Sequence, residues 1–201
     1  MIIGICGFQS SGKDTIAEFL IKEYGFKRLS FASALKDIVS LIFGWPRDRL
    51  EGLNEEDRLW REQIDPWWSK SLKMPHLSPR HVLQYFGTEL FRNHWHPDIW
   101  VKVLENKILD LTQSSLDTNI VITDCRFENE INMILRFQGK IIHVHRNMPQ
   151  WFHKYKMGID VDEVKYMHKS EIIWIRCFKD WDIENNGTLE DLYKNVRKYI
   201  I

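Results

Sequence analysis

The 201-residue chain has no net charge, with Lys plus Arg and Asp plus Glu at 28 each. Such a chain has no overall field to draw it onto a polynucleotide or an anionic membrane, so neither partner is expected. Cysteine is scarce. Cys6, Cys125 and Cys177 are odd in number and lie in or beside strand-like runs, which predicts reduced, mostly buried thiols rather than a disulfide framework. Long apolar runs are missing too. None approaches the roughly twenty residues that span a bilayer, and the first residues lack the basic-then-apolar layout of a signal peptide, so a cytoplasmic location is expected. No spacing suits a structural zinc. His94 and His96 flank Trp95, His143 and His145 alternate on a strand, and no cysteine is near enough to complete a set, so all four histidines are read as packing or surface residues. Internal repeats and low-complexity tracts are also lacking.

What the chain does have, directly behind an apolar start, is Gly7-Phe8-Gln9-Ser10-Ser11-Gly12-Lys13-Asp14-Thr15. Ile2, Ile3, Ile5 and Cys6 form an apolar run of buried parallel-strand type, and Ile16, Phe19, Leu20 and Ile21 fall near helical spacing. Strand, glycine-rich turn and helix in that order make a P-loop. Its backbone N–H groups and the positive end of the helix converge on phosphate oxygens while the lysine bridges the outer two. Gly7, Ser10, Ser11, Gly12, Lys13, Asp14 and Thr15 are therefore the expected contacts to the phosphates of ATP. In one respect the motif is displaced. The residue after the lysine ordinarily brings a hydroxyl to magnesium, yet here it is Asp14, and the hydroxyl comes one place later at Thr15.

Further along, residues 26–31 read as a second strand. Ser33–Phe43 reads as a helix with Ala34, Leu35, Ile38, Val39, Leu41 and Ile42 on its apolar side, stopped by Gly44, Trp45 and Pro46. Residues 48–79 turn polar and aromatic with Pro66, Pro75 and Pro79 as breakers, which predicts a loop and short-helix insertion. Nine tryptophans are many for this length, and Trp60, Trp67, Trp68, Trp95 and Trp100 predict a cluster of rings in the middle third. Helical spacing resumes over 80–94 and again over 98–111. Residues 119–123 and Lys140–His145 read as central strands around a helix over 128–137, and a short strand near 181–183 precedes a closing helix from Thr188. Strands alternating with helices predict an α/β fold, a doubly wound parallel sheet of about five strands with helices on both faces and ligands at the carboxyl ends of the strands. One domain is expected, with a substrate-side insertion at about 45–100.

Phosphoryl transfer needs magnesium between the phosphates, cations around the transferred group and an acceptor held in line. Asp124 ends a central strand, where its carboxylate suits the metal through water; the alternative is a cap for the next helix. Arg126, two residues on, suits a bidentate grip on an acceptor phosphate. Arg80, Gln84, Thr88 and Arg92 step four apart and form one polar stripe on an otherwise apolar helix, a pattern a solvated face would share.

Taken together, the loop at 7–15, F-A-S-A-L-K-D at 31–37, Gln84 with F-G-T-E-L at 86–90, Trp100, D-x-R-F-x-N-E at 124–130, H-x-S-E at 168–171 and N-x-G-T-L-x-x-L at 185–192 resemble the deoxynucleoside monophosphate kinases of T-even bacteriophages and large DNA viruses. The resemblance implies a nucleoside-monophosphate-kinase-like P-loop protein that moves the γ-phosphate of ATP to a deoxynucleoside 5′-monophosphate with magnesium, in a host cytoplasm if viral. Lys13, Asp124 and Arg126 would be catalytic, and Asp14 and Thr15 would sit by the metal. Lys36, Arg80, Gln84, Thr88, Arg92, Trp100 and Glu130 would line or support the monophosphate pocket, with Asn185 near the adenine. Residues 146–171 would form a lid, Arg146, Lys154, Lys156 and His168 supplying cations. A homodimer is compatible with the sequence. Two other readings stand beside this one: a P-loop kinase for another small acceptor of the phosphomevalonate or dephospho-coenzyme A type, and an ATP-binding interaction protein without turnover.

Overall fold

The strands are β1 (Ile2–Cys6), β2 (Lys27–Leu29), β3 (Ile120–Ile122), β4 (Lys140–His145) and β5 (Trp181–Glu184). In this computed structural model, which describes residues 1–114 and 118–200, they form one sheet in the order β2-β3-β1-β4-β5. Every pairing is parallel. A parallel sheet must be covered on both faces, and β1 shows how its residues meet that need. Ile3 and Ile5, with Ile142 and Val144 of β4, pack against Ile16 and Leu20 of the helix Lys13–Tyr24 and Leu192 and Val196 of the helix Leu189–Ile200. On the opposite face Gly4 leaves room for the helix Glu128–Arg136, since a Cβ there would come within 2.6 Å of Ile134 Cδ1. The chain moves from β1 to β2 and β3 on one side and then to β4 and β5 on the other. The strand order therefore reverses at β1, and the crevice beyond its carboxyl end is where such sheets bind ligands.

By their contacts the residues form two compact units, Met1–Phe31 with Leu104–Ile201, and Ala32–Val103. The first holds the whole sheet. It also buries a polar group without compensation: His143 on β4 is fully buried, and neither ring nitrogen has a hydrogen-bond partner. Burial, with Lys179 next, pushes its imidazole down to about 3. The unfolded chain therefore binds a proton between about pH 6.5 and pH 3 that the fold refuses, and stability is lost as pH falls through that window by up to about 1.4 kcal/mol per pH unit. His143→Phe keeps the ring against Trp174, 5.2 Å away in the native packing, and removes the titrating group. Thermal melts from pH 7 to pH 4 should show a flatter pH dependence for this variant, with stability at pH 7 equal to or above wild type.

In the second unit the helix Ser33–Phe43 ends at Gly44, whose φ of 68° suits glycine. Leu35, Val39 and Phe43 form its buried stripe, whereas Leu41 and Ile42 are 86% and 51% exposed. A four-residue step keeps the first three on one side and sends Leu41 to the other. The polar segment after it is more helical than a loop, comprising a 3₁₀ turn Arg49–Glu51 and the helices Glu55–Glu62 and Pro66–Ser71. Side-chain caps start both helices: Asn54 accepts from the Asp57 N–H at 2.8 Å and Asp65 from the Trp68 N–H at 3.0 Å. The expected ring cluster forms around Phe43, stacked on Trp45 at 4.5 Å and edge-on to Trp68 at 4.9 Å, while Trp95 stands outside it and exposed.

The helix expected over 80–94 divides into an α-helix, Pro79–Gln84, and a π-helix, Tyr85–Asn93. Four residues slightly overshoot an α turn and fall just short of a π turn, so Arg80, Gln84, Thr88 and Arg92 keep to one side of the segment. Gly87 is buried in the π turn, and its carbonyl accepts from Trp100 Nε1 at 2.9 Å. Trp100 thus acts on the backbone of this segment.

Candidate active site

Between β1 and the helix Lys13–Tyr24 the loop adopts backbone conformations that its residue types allow. Gly12, with φ 107°, begins the helix without any side-chain cap, so its first amides remain available to an anion. Gly7 has no room for a side chain, since a Cβ would lie 2.6 Å from both Ser11 Oγ and Val144 O. Ser11 is buried and its hydroxyl has no partner. An orphaned hydroxyl beside uncapped helix amides, in a turn that only glycine can close, fits a phosphate. Lys13 Nζ reaches back to Gly7 O at 2.9 Å and Phe8 O at 2.6 Å.

From the far end of the chain Asn185 supports this loop. Its Nδ2 donates to Ser11 O at 2.9 Å, and a Cβ on Gly12 would strike the same amide. Expected beside adenine, Asn185 is instead buried as a brace under the phosphate loop. Asn185→Ala strips the Ser11 carbonyl of that donor and opens space under Gly12. ATP affinity measured by calorimetry should weaken about five- to tenfold, consistent with one lost buried hydrogen bond.

Asp14, in the first turn, is ion-paired with Arg28 of β2, and the same guanidinium donates to Thr123 Oγ1 at 2.9 Å. The carboxylate expected by the metal is therefore already engaged with a cation. Asp124, beyond β3, accepts from Ser30 Oγ at 2.7 Å and from the Phe31 N–H at 3.1 Å. These bonds fix the orientation of its carboxylate. Glu130, expected in the substrate pocket, is 2% exposed and caps its own helix: Oε2 accepts from the N–H groups of Arg126 at 2.8 Å and Phe127 at 3.1 Å. Its role is to hold the backbone that carries Arg126. The Arg126 guanidinium is ion-paired with Glu171.

Lys13 registers this crowding of charge. Its ammonium is pushed down to about 8, chiefly by burial and then by Arg126, while Asp14 and Glu171 oppose the shift. Loop, D-x-R segment and Glu171 thus act on one electrostatic centre.

A family model described as deoxynucleotide monophosphate kinase matches residues 61–196. A putative deoxynucleotide monophosphate kinase of Acanthamoeba polyphaga mimivirus is 30% identical over 205 residues, covering 98% of this chain and 94% of its own. The chain belongs to the deoxynucleotide monophosphate kinase family. A second relative, the deoxynucleoside-5′-monophosphate kinase of Escherichia phage T5, is 26% identical, with 65% of this chain and 70% of that protein covered. Among solved structures, a dephospho-CoA kinase from Campylobacter jejuni matches with a TM-score of 0.50 at 18% identity, over 99% of this chain and 94% of that one. That likeness establishes the P-loop kinase fold.

The remaining residues expected at the site divide between the two units. Within Ala32–Val103, Lys36 is paired with Glu51 at 2.5 Å and Arg80 with Glu62 at 3.2 Å. Arg92 reaches Pro97 O at 3.5 Å, Gln84 is exposed and Thr88 is half-buried. In the unit that holds the sheet, Arg146 is exposed just past β4, and Lys156 pairs with Asp182 at 2.5 Å. His168 caps the helix Lys169–Arg176, its ring accepting from the Ser170 N–H at 3.2 Å. A cavity of about 500 Å³ opens at the ends of β4 and β5, lined by Arg146, Asn147, His153, Lys156, Glu184 and Asn186. Sequence reasoning missed Arg28 and left Glu171 without a role, because their partners lie 14 and 45 residues away. Glu171 did carry a signal, as the last residue of H-x-S-E.

Proposed function

We propose that the protein transfers the γ-phosphate of ATP to a deoxynucleoside 5′-monophosphate, giving ADP and the diphosphate. The observation that carries this reading is the loop itself, where uncapped helix amides and the unpartnered Ser11 hydroxyl stand beside Lys13, held on the Gly7 and Phe8 carbonyls. A lysine at the loop suits the phosphate that is transferred, and an arginine on the D-x-R segment suits the phosphate that accepts it.

In this reading the loop amides and the Ser11 hydroxyl hold the donor phosphates. Lys13 exchanges its bonds to the Gly7 and Phe8 carbonyls for the β- and γ-phosphate oxygens. Thr15 and Asp124 are the residues that would hold magnesium, whose chemistry is to neutralise charge on those phosphates. Asp14 acts through Arg28, anchoring the first turn of the helix to β2. Arg126 grips the acceptor phosphate. The cavity beside Asn186 suits the base of ATP, since Asn185 next to it already braces the loop. Arg146 and His168 belong to the segment that closes over the phosphates and excludes water.

An acceptor panel tests this reading. With ATP and magnesium, the purified protein should phosphorylate at least one of the deoxynucleoside monophosphates at about 1–100 per second. Turnover confined to phosphomevalonate, dephospho-coenzyme A or a simple alcohol would contradict the choice of acceptor. Tight ATP binding with no acceptor used at all would contradict catalysis.

A further inference from the structure

Glu171 has no part in the reading above beyond its charge, yet it is among the most deliberately held groups near the loop. It sits in the first turn of the helix Lys169–Arg176. His168 caps that turn, and its Nδ1 also lies 2.7 Å from Ser170 Oγ. Trp174, 1% exposed, donates from Nε1 to the Glu171 carbonyl at 2.8 Å and packs edge-on to Phe8 of the phosphate loop at 5.2 Å. The helix bearing Glu171 is thereby tied to the loop that bears Lys13.

The other end of the contact is equally fixed. Glu130 holds the Arg126 backbone, and the Arg126 guanidinium meets Glu171 and, at 3.4 Å, Ser170 Oγ, both through Nη1. Nε and Nη2 keep the geometry of a two-pronged donor. A flexible arginine loses rotamer freedom when it grips a phosphate, and a partner that has already ordered it lowers that loss.

We propose that Glu171 is a positioning residue for the acceptor phosphate: it holds Arg126 by Nη1 and leaves Nε and Nη2 for a bidentate grip. This rests on the reading of Arg126 as the acceptor-binding cation. The helix Lys169–Arg176 thus couples the two substrates, touching the donor loop through Trp174 and the acceptor cation through Glu171.

The test uses the full-length protein with Glu171→Ala, Glu171→Gln and Glu171→Asp, the deoxynucleoside monophosphate that wild type uses best, and both steady-state kinetics and calorimetry. For the alanine and glutamine variants KM and Kd for the monophosphate should rise about tenfold, as befits loss of a charge-assisted tether. ATP affinity should stay at the wild-type value, and Glu171→Asp should recover most of the loss. In an Arg126→Ala background, Glu171→Ala should add nothing further. The role is overturned if the two losses add, if ATP affinity falls in parallel, or if the monophosphate binds more tightly without Glu171, which would make that carboxylate a competitor for Arg126. Glutamine, nearly the same shape, guards against a folding defect. A wild type that neither binds nor phosphorylates any deoxynucleoside monophosphate removes the kinase reading together with this one. An active wild type whose Glu171 variants are unchanged removes only this one.

Discussion

Lys13→Ala should lower kcat by at least about 100- to 1,000-fold, the loss that follows removal of one preorganised charge donor at a transferring group. The expectation rests on how the ammonium is held. Lys13 is half-buried and bonded to two loop carbonyls, so its ammonium is held at the loop before any nucleotide arrives. Alanine deletes the charge and the direction together. Lys13→Arg should rescue little, because a planar fork does not fit where a compact ammonium bridges the Gly7 and Phe8 carbonyls. A pH profile gives an independent check. With its ammonium pushed down to about 8 by burial and Arg126, Lys13 loses its proton above that pH in the free enzyme, so kcat/KM for ATP should fall on the alkaline side of about pH 8. Full activity in Lys13→Ala, or a flat profile to pH 10, would contradict the role given to it.

Arg126→Ala should separate the two substrates. Two charge-assisted bonds at about 1.5–3 kcal/mol each correspond to a loss of about 100- to 20,000-fold in kcat/KM for the monophosphate. The dissociation constant for ATP should hardly change, since the loop amides, Ser11 and Lys13 remain. Removing Arg126 also takes away a cation that lowers the proton affinity of Lys13, so the alkaline limb of the pH profile should move upward. That shift is a signature which simple loss of acceptor contacts would not produce. Equal weakening of ATP and monophosphate would reassign Arg126 to the donor side.

Much of this was legible in the sequence wherever a local rule governs. The helix Ser33–Phe43 and the strand Lys140–His145 are readable to the residue, one from its period and a glycine stop, the other from a β-branched run between polar ends. The phosphate loop is legible because its function resides in the backbone, and glycine positions disclose backbone conformation. What stays hidden is whatever depends on distant partners or on a choice between similar helices. The helix Glu55–Glu62 buries no residue and begins on a side-chain cap, so it has no apolar stripe to read. An i→i+5 turn over Tyr85–Asn93 uses the same residues as an α-helix would. The helix Lys169–Arg176 escaped notice between the lid segment and β5, since its cap is a histidine rather than a serine or aspartate. Asn185, Glu130 and Asp14 are each readable as candidates, but Asn185 and Glu130 turn inward to hold the loop and the D-x-R segment, and Asp14 pairs with Arg28 of β2. Which bond a polar side chain makes is decided by the tertiary fold, 174 residues away in the case of Asn185 and Ser11.

The claim on which everything else depends is that the phosphate loop and Arg126 serve a single transfer between two nucleotides. The most direct measurement follows a label in the γ-phosphate of ATP during incubation with magnesium and each deoxynucleoside monophosphate in turn. The account requires the label to appear in the deoxynucleoside diphosphate, with unlabelled ADP formed in equal amount. Label recovered only as inorganic phosphate, or retained in ATP with every monophosphate, would contradict it.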